Sequence, residues 1–196
     1  MKRIILGSNS PRRKELLAGL EIDFTVDTGN NFKERVEPGL EAHEVPRRLS
    51  AGKSHGFHRP LESDEVLITS DTVVIVENEV LGKPRNRRDA VNMLHKLSGR
   101  VHEVVTAVTL RDVSKEFTFS VSTRVHFEEL SEEEIAHYVD KYQPFDKAGA
   151  YGIQEWIGYV GISSIEGSFY NVMGFPVHRV WHELQRFLGI IDKNGW

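Results

Sequence analysis

The chain has 196 residues, of which 39% are hydrophobic and 28% charged, enough apolar content for a real core and too much for a disordered polymer. A formal net charge of −4 with a pI near 6.1 rules out an overall basic field, so extended DNA or RNA binding is disfavoured and any polyanionic partner must be small and met locally. Cysteine is absent, which removes disulfides, thiolate nucleophiles and thiolate metal ligands together and fits a reducing, cytoplasmic setting.

The chain opens on Met-Lys-Arg and three apolar residues, too short for a signal h-region, and no apolar run approaches a membrane span. Arg3 to Gly7 reads as a strand and Pro11 to Leu20 as a helix, with Ser8-Asn9-Ser10-Pro11-Arg12-Arg13 at the turn between them. Ser10 suits an N-cap, Pro11 suits the first helical position, and Gly19 stands where a short helix would end. The first N–H groups of such a helix lack intrahelical partners and carry the positive end of the macrodipole. With two guanidinium forks beside them, they form a phosphate-holding turn; a capped helix with two solvated arginines is the plainer alternative.

Ile22 to Asp27 reads as a second strand, followed by a polar loop around Asn30-Asn31 and a helix over Glu44 to Phe57. Val66 to Val76 is a β-branched strand interrupted by Thr69-Ser70-Asp71-Thr72, and Glu77-Asn78 turns it into a hairpin with Val80-Leu81. Asp89 to Leu97 is an amphipathic helix ended by Ser98-Gly99. His102 to Leu110 and Glu116 to Glu128 are two strands joined by the turn tetrad Asp112 to Lys115. Ser131 with Glu134 makes a capping box for a helix to Tyr142; short strands and turns fill Gly149 to Gly174; Val177 to Leu188 is the last helix, before a frayed tail. The expectation is an α/β domain spanning residues 1–196, or two small lobes sharing one sheet.

Asp71 stands out because an unpaired carboxylate in the most apolar strand is costly and needs a cation or hydrogen bonds. It reads either as a metal-binding or general-base carboxylate at the lip of a sheet, with Thr72 as a neighbouring hydroxyl, or as a solvent-facing bulge. Lys83, in Gly82-Lys83-Pro84, and Lys53, on a face marked by Val45 and Leu49, are each a phosphate ligand or a surface side chain. Gln154 ends the small-residue run from Asp146, which reads either as a place where its amide pairs with a base edge or as a plain glycine-rich loop. Phe169 and Phe175 read as core. His178 and His182 share a helix face without the glutamate of an H-E-x-x-H motif and read as an exposed polar stripe.

Taken in order, Ser8 to Arg13, Ser70-Asp71-Thr72-Val73-Val74, Leu81 to Pro84, Leu97-Ser98-Gly99, Asp146 to Gln154 and Gly174-Phe175-Pro176 resemble the Maf family of nucleoside triphosphate pyrophosphatases nearly end to end. The resemblance implies an elongated mixed sheet with flanking helices in two lobes around a cleft, related to the inosine triphosphate pyrophosphatases. It implies hydrolysis between the α and β phosphates with Mg²⁺ or Mn²⁺, and suggests a homodimer. By the same resemblance Ser8, Arg12, Arg13, Lys53 and Lys83 bind phosphate, and Asp71 is the catalytic aspartate. The family's early acidic residue falls on Glu34, with Glu37 as rival, to share the metal with Asp71. Thr72 and Gln154 resemble the branch acting on dTTP and UTP rather than on 7-methyl-GTP. Other modified nucleotides, or a non-catalytic nucleotide-responsive regulator of division, are the competing readings.

Overall fold

The computed structural model describes residues 2–35 and 39–191; Glu37 and the expected frayed tail lie outside the described residues. The elements are β1 (Arg3–Leu6), α1 (Pro11–Ala18), β2 (Phe24–Val26), α2 (Val45–His55), β3 (Glu65–Val76), β4 (Glu79–Leu81) and α3 (Arg87–Leu97). They continue with β5 (Val101–Arg111), β6 (Glu116–Phe127), α4 (Glu132–Tyr142), α5 (Trp156–Gly161), β7 (Ile162–Glu166), α6 (Phe169–Val172) and α7 (Val177–Phe187). The strands form one mixed sheet in the order β2-β1-β3-β5-β6-β7, with β4 also paired to β3. β1 runs parallel to both β2 and β3, whereas β3–β4 and β6–β7 are antiparallel.

The chain divides into two compact units, one of Met1–Asp71, Thr106–Val121 and Gly174–Trp196, the other of Thr72–Val105 and Ser122–Met173. In the first, strand alternation sorts the side chains onto two faces. Ile4, Leu6, Val66 and Ile68 pack with Leu17 of α1 and Val180, Leu184 and Phe187 of α7, while Ile5 and Leu67 meet Phe57 and Leu61 on the other side. Continuing the alternation along β3, Thr69 and Asp71 share the face of Leu67, the side taken by α2.

A chain of hydroxyls fixes α2 there. Thr118 Oγ1 lies 2.9 Å from Thr109 Oγ1, which lies 2.9 Å from Ser50 Oγ, and Ser50 Oγ donates to the Thr69 carbonyl at 3.2 Å. Thr69 Oγ1 returns a bond to the Ser50 carbonyl at 2.9 Å. One turn further along α2, Arg111 donates to Ser54 Oγ at 2.8 Å and to the Ser54 carbonyl at 2.6 Å. α2 is thus held at Ser50 and Ser54, one helical turn apart, with Lys53 between them.

The second unit has its own core: Ala90, Leu94 and Leu97 of α3 and Ile135, Tyr138 and Val139 of α4 pack with Val74, Val76, Val104, Val125 and Phe127. The predicted hairpin closes through Glu77 and Asn78, both left-handed (φ 49° and 65°), the pair of conformations a two-residue antiparallel turn requires. The predicted capping box is present: Ser131 Oγ accepts from the Glu134 N–H and the Glu134 carboxylate accepts from the Ser131 N–H. Among the described residues no helix is long and apolar enough to cross a membrane.

Because Ser50 is fully buried, removing its hydroxyl takes away both the Thr69 and the Thr109 contact. Ser50→Ala is expected to destabilise the protein by about 1 kcal/mol, after allowing for alanine's better helix propensity. A lower urea midpoint at unchanged m-value is the predicted reading, and an unchanged midpoint would show that the hydroxyl chain holds nothing.

Candidate active site

β1 delivers the chain to the serine-rich turn alongside β3, because the Gly7 N–H still donates to the Ile68 carbonyl at 2.8 Å. Ser8 is buried there, and the N–H of Ser10 donates to Ser8 Oγ at 3.3 Å. Ser10 Oγ caps α1 by accepting from the Arg13 N–H at 3.4 Å, and Pro11 takes the first turn as the sequence predicts. The Arg13 guanidinium donates to the Gly174 carbonyl at 2.9 Å, the Ser70 carbonyl at 2.8 Å and Ser8 Oγ at 3.4 Å. It therefore braces α1 against the residue before Asp71 and against the entry to α7. Burial lowers the Arg13 pKa, Asp71 opposes that and the charge of neighbouring Arg12 adds to it; a guanidinium stays cationic throughout. The sequence suggests a phosphate ligand at Arg13; the structure shows its guanidinium bonded to the protein's own carbonyls and Ser8.

Asp71 is only 8% exposed. Lys53, brought to it by α2, donates from Nζ to Asp71 Oδ1 at 2.5 Å and pairs with Glu34 Oε1 at 2.9 Å. One ammonium is thus shared by the two carboxylates that sequence reasoning placed together. Burial pushes the Asp71 carboxyl above its ordinary value, and Lys53, then Arg13, pull against that. The result is an anion whose charge depends on its neighbours. Asp71 and Glu34 offer carboxylate oxygens, the ligand type a hard divalent cation such as Mg²⁺ or Mn²⁺ takes, but they meet on the Lys53 ammonium, and among the described residues no group of three or more acidic or histidine side chains is placed to hold a metal.

The remaining candidates belong to the second unit. Thr72 is half-buried directly after Asp71, and Lys83 is exposed in the turn after β4. The carbonyl of Gly82 accepts from the Gly149 N–H at 3.0 Å, joining the Lys83 turn to the small-residue segment. That segment is strained, with Gly149 and Ala150 both left-handed at φ 67° and 60°. It is held by buried Lys147, whose Nζ pairs with Asp146 at 2.8 Å and Glu155 at 3.0 Å. Tyr138 adds its hydroxyl, donating to the Glu155 carboxylate and accepting from the Gly152 N–H at 3.0 Å. Beside this network the Gln154 Oε1 atom is buried with no hydrogen-bond partner. Phe175 is core, as expected, but Phe169 is not: it opens the four-residue α6 with its ring edge-on to Tyr170, and it is 40% exposed. His178 and His182 lie ring against ring at 4.7 Å on α7.

Sequence reasoning missed the supports: Ser50 and Ser54 under Lys53, the Ser70 and Gly174 carbonyls on Arg13, and Tyr138 with Glu155 behind Gln154. The one signal available was the four-residue spacing of Ser50 and Ser54 with Lys53 between.

Replacing Lys53 by Met removes the cation that keeps Asp71 ionised, so the Asp71 pKa is expected to rise further. Carboxyl ¹³C titration should place the Asp71 inflection at higher pH in Lys53→Met than in the parent; coincident inflections would contradict the pairing.

Residues 3–187 match the model of the family described as Maf-like protein. A dTTP/UTP pyrophosphatase of Parabacteroides distasonis is 48% identical over 185 residues, covering 94% of this chain and 96% of that protein. Those of Bacteroides thetaiotaomicron and Porphyromonas gingivalis are each 49% identical, covering 94% of this chain and 95% and 94% of theirs. The structure of a HAM1 protein from Coxiella burnetii matches 95% of this chain and 100% of its own at a TM-score of 0.51 and 14% identity, a likeness of fold alone. A family match over nearly the whole length and relatives close to half identical lead to one conclusion: the chain belongs to the Maf family.

Proposed function

We propose that the chain is a pyrophosphatase hydrolysing dTTP and UTP to the monophosphate and pyrophosphate. The observation that carries this reading is the buried Asp71 carboxylate held by Lys53 beside Glu34, in a chain about half identical to proteins named for that activity.

Water forms a bond to the α phosphorus as the bond to the bridging oxygen of pyrophosphate breaks, and Asp71 accepts the proton the water loses. Burial raises its pKa and so its basicity, and Lys53 favours its ionised form. Asp71 and Glu34 would hold a bound Mg²⁺ or Mn²⁺, which would neutralise phosphate charge and lower the pKa of water. Ser8 and Arg12 receive phosphate oxygens at the start of α1, where the helix dipole favours an anion, and Arg13 keeps the turn in place for them. Lys83 supplies an exposed ammonium for phosphate charge, and Thr72 and Gln154 supply a hydroxyl and an amide suited to a pyrimidine edge.

Pyrophosphate release from dTTP, UTP, CTP, 7-methyl-GTP and dITP with Mg²⁺ or Mn²⁺ tests this. Rapid release from dTTP and UTP that drops at least a hundredfold in Asp71→Asn is expected, the loss of a general base being worth about 10²–10⁴ in rate. Preference for 7-methyl-GTP would move the chain to another substrate class. Binding without release from any nucleotide would make it a regulator. Because Asp71 must be ionised, kcat/KM should fall as the pH drops and Asp71 takes up a proton; a profile with no acid limb would remove Asp71 as the base.

A further inference from the structure

We infer that Phe32 is a positioning residue: by seating its ring on the bare backbone of α2 at Gly52 and Gly56 it delivers Glu34 to the Lys53–Asp71 pair. This rests on the proposed pyrophosphatase site and names what loads its second carboxylate.

The segment after β2 carries no regular element, yet it is tied to the end of α2 at successive points. Asp27 accepts from the His58 ring at 3.0 Å and from the Gly29 N–H at 3.1 Å. Asn30 Nδ2 donates to the Lys53 carbonyl at 2.6 Å, the Asn31 N–H donates to the Gly56 carbonyl at 2.7 Å, and Asn30 Oδ1 turns back to accept from the Phe32 N–H at 2.8 Å. Phe32 then meets the helix where two side chains are missing. A methyl group on Gly52 would come within 2.3 Å of Phe32 Cζ, and one on Gly56 within 2.5 Å of Phe32 Cβ and 2.7 Å of Asn30 Oδ1.

Both glycines have φ outside the left-handed region, so their backbone does not require glycine. A glycine inside a helix is unfavourable relative to alanine, and Gly52 lies in the body of α2. The close approach of the ring accounts for both residues. The ring contact at Gly52 is one residue along α2 from Lys53, and Phe32 is two residues before Glu34, which pairs with that lysine at 2.9 Å. Glu34 itself is exposed, and a long side chain loses rotamer freedom when it is held in one pairing.

The test uses the full-length protein and the variants Gly52→Ala, Phe32→Ala, Phe32→Leu and Gly52→Ala/Phe32→Ala, with Glu34→Gln as reference. UTP turnover gives kcat and KM, and the ¹⁵Nζ resonance of Lys53 without nucleotide reports the Glu34 contact independently of chemistry. Gly52→Ala and Phe32→Ala are expected to lower kcat by about tenfold to a hundredfold, the scale of an ångström-sized misplacement. They should move the Lys53 resonance to its Glu34→Gln position. Phe32→Leu should recover most of the loss, and Gly52→Ala should add nothing once the ring is gone. An unmoved Lys53 resonance in Gly52→Ala, or losses in the two single variants that simply add, would overturn the inference. If the parent releases no pyrophosphate, the functional reading falls on that result alone, while the Lys53 resonance still decides the role of Phe32.

Discussion

A carboxylate inside a sheet is stable only if something else in the fold brings it a charge. Asp71 lies in the strand that supplies both cores with their central apolar residues, and burial alone would drive it towards the neutral acid. Lys53 opposes that from 2.5 Å, and Lys53 is where it is because α2 is fixed to the sheet by Ser50 and Ser54. The buried carboxylate, the helix that brings it a charge and the hydroxyls that hold the helix form one dependency.

A second support comes from Arg13. An arginine at the start of a helix after the first strand suits an incoming phosphate, yet this one also donates to two main-chain carbonyls, including that of Ser70. Its planar fork spans acceptors that a lysine's point charge would not reach together. Within the same unit, the serine-rich turn after β1 and the stretch of β3 that ends at Asp71 are thereby kept in register. In the other unit a comparable device, Lys147 with Glu155 and Tyr138, holds a backbone that would not stay left-handed at Ala150 unaided.

What could be read from the sequence was mostly local. The cap of α1 by Ser10, the capping box of α4 and the Glu77-Asn78 hairpin are written within a few residues, and each is present. Asp71 was conspicuous because a charge interrupts an apolar run, and Lys53 because it continues an apolar helix face. The bracing by Arg13 was not legible, since its carbonyl acceptors lie 57 and 161 residues away. The seat for Phe32 was equally hidden, because Gly52 and Gly56 look like weak points in a helix until the ring that needs them is in place. Phe169 misled for the opposite reason: an aromatic in a dense segment suggests core, but it starts a helix of a single turn and faces outward.

The interdependence of Lys53 and Asp71 is the point on which everything else turns, and a double-mutant cycle on kcat/KM for UTP measures it directly. If Lys53 acts by keeping Asp71 ionised, Lys53→Met/Asp71→Asn should be no slower than the worse of the two single variants. Losses that multiply independently would mean that the lysine and the aspartate serve separate ends, and the buried pair would then be a structural contact rather than the centre of the chemistry.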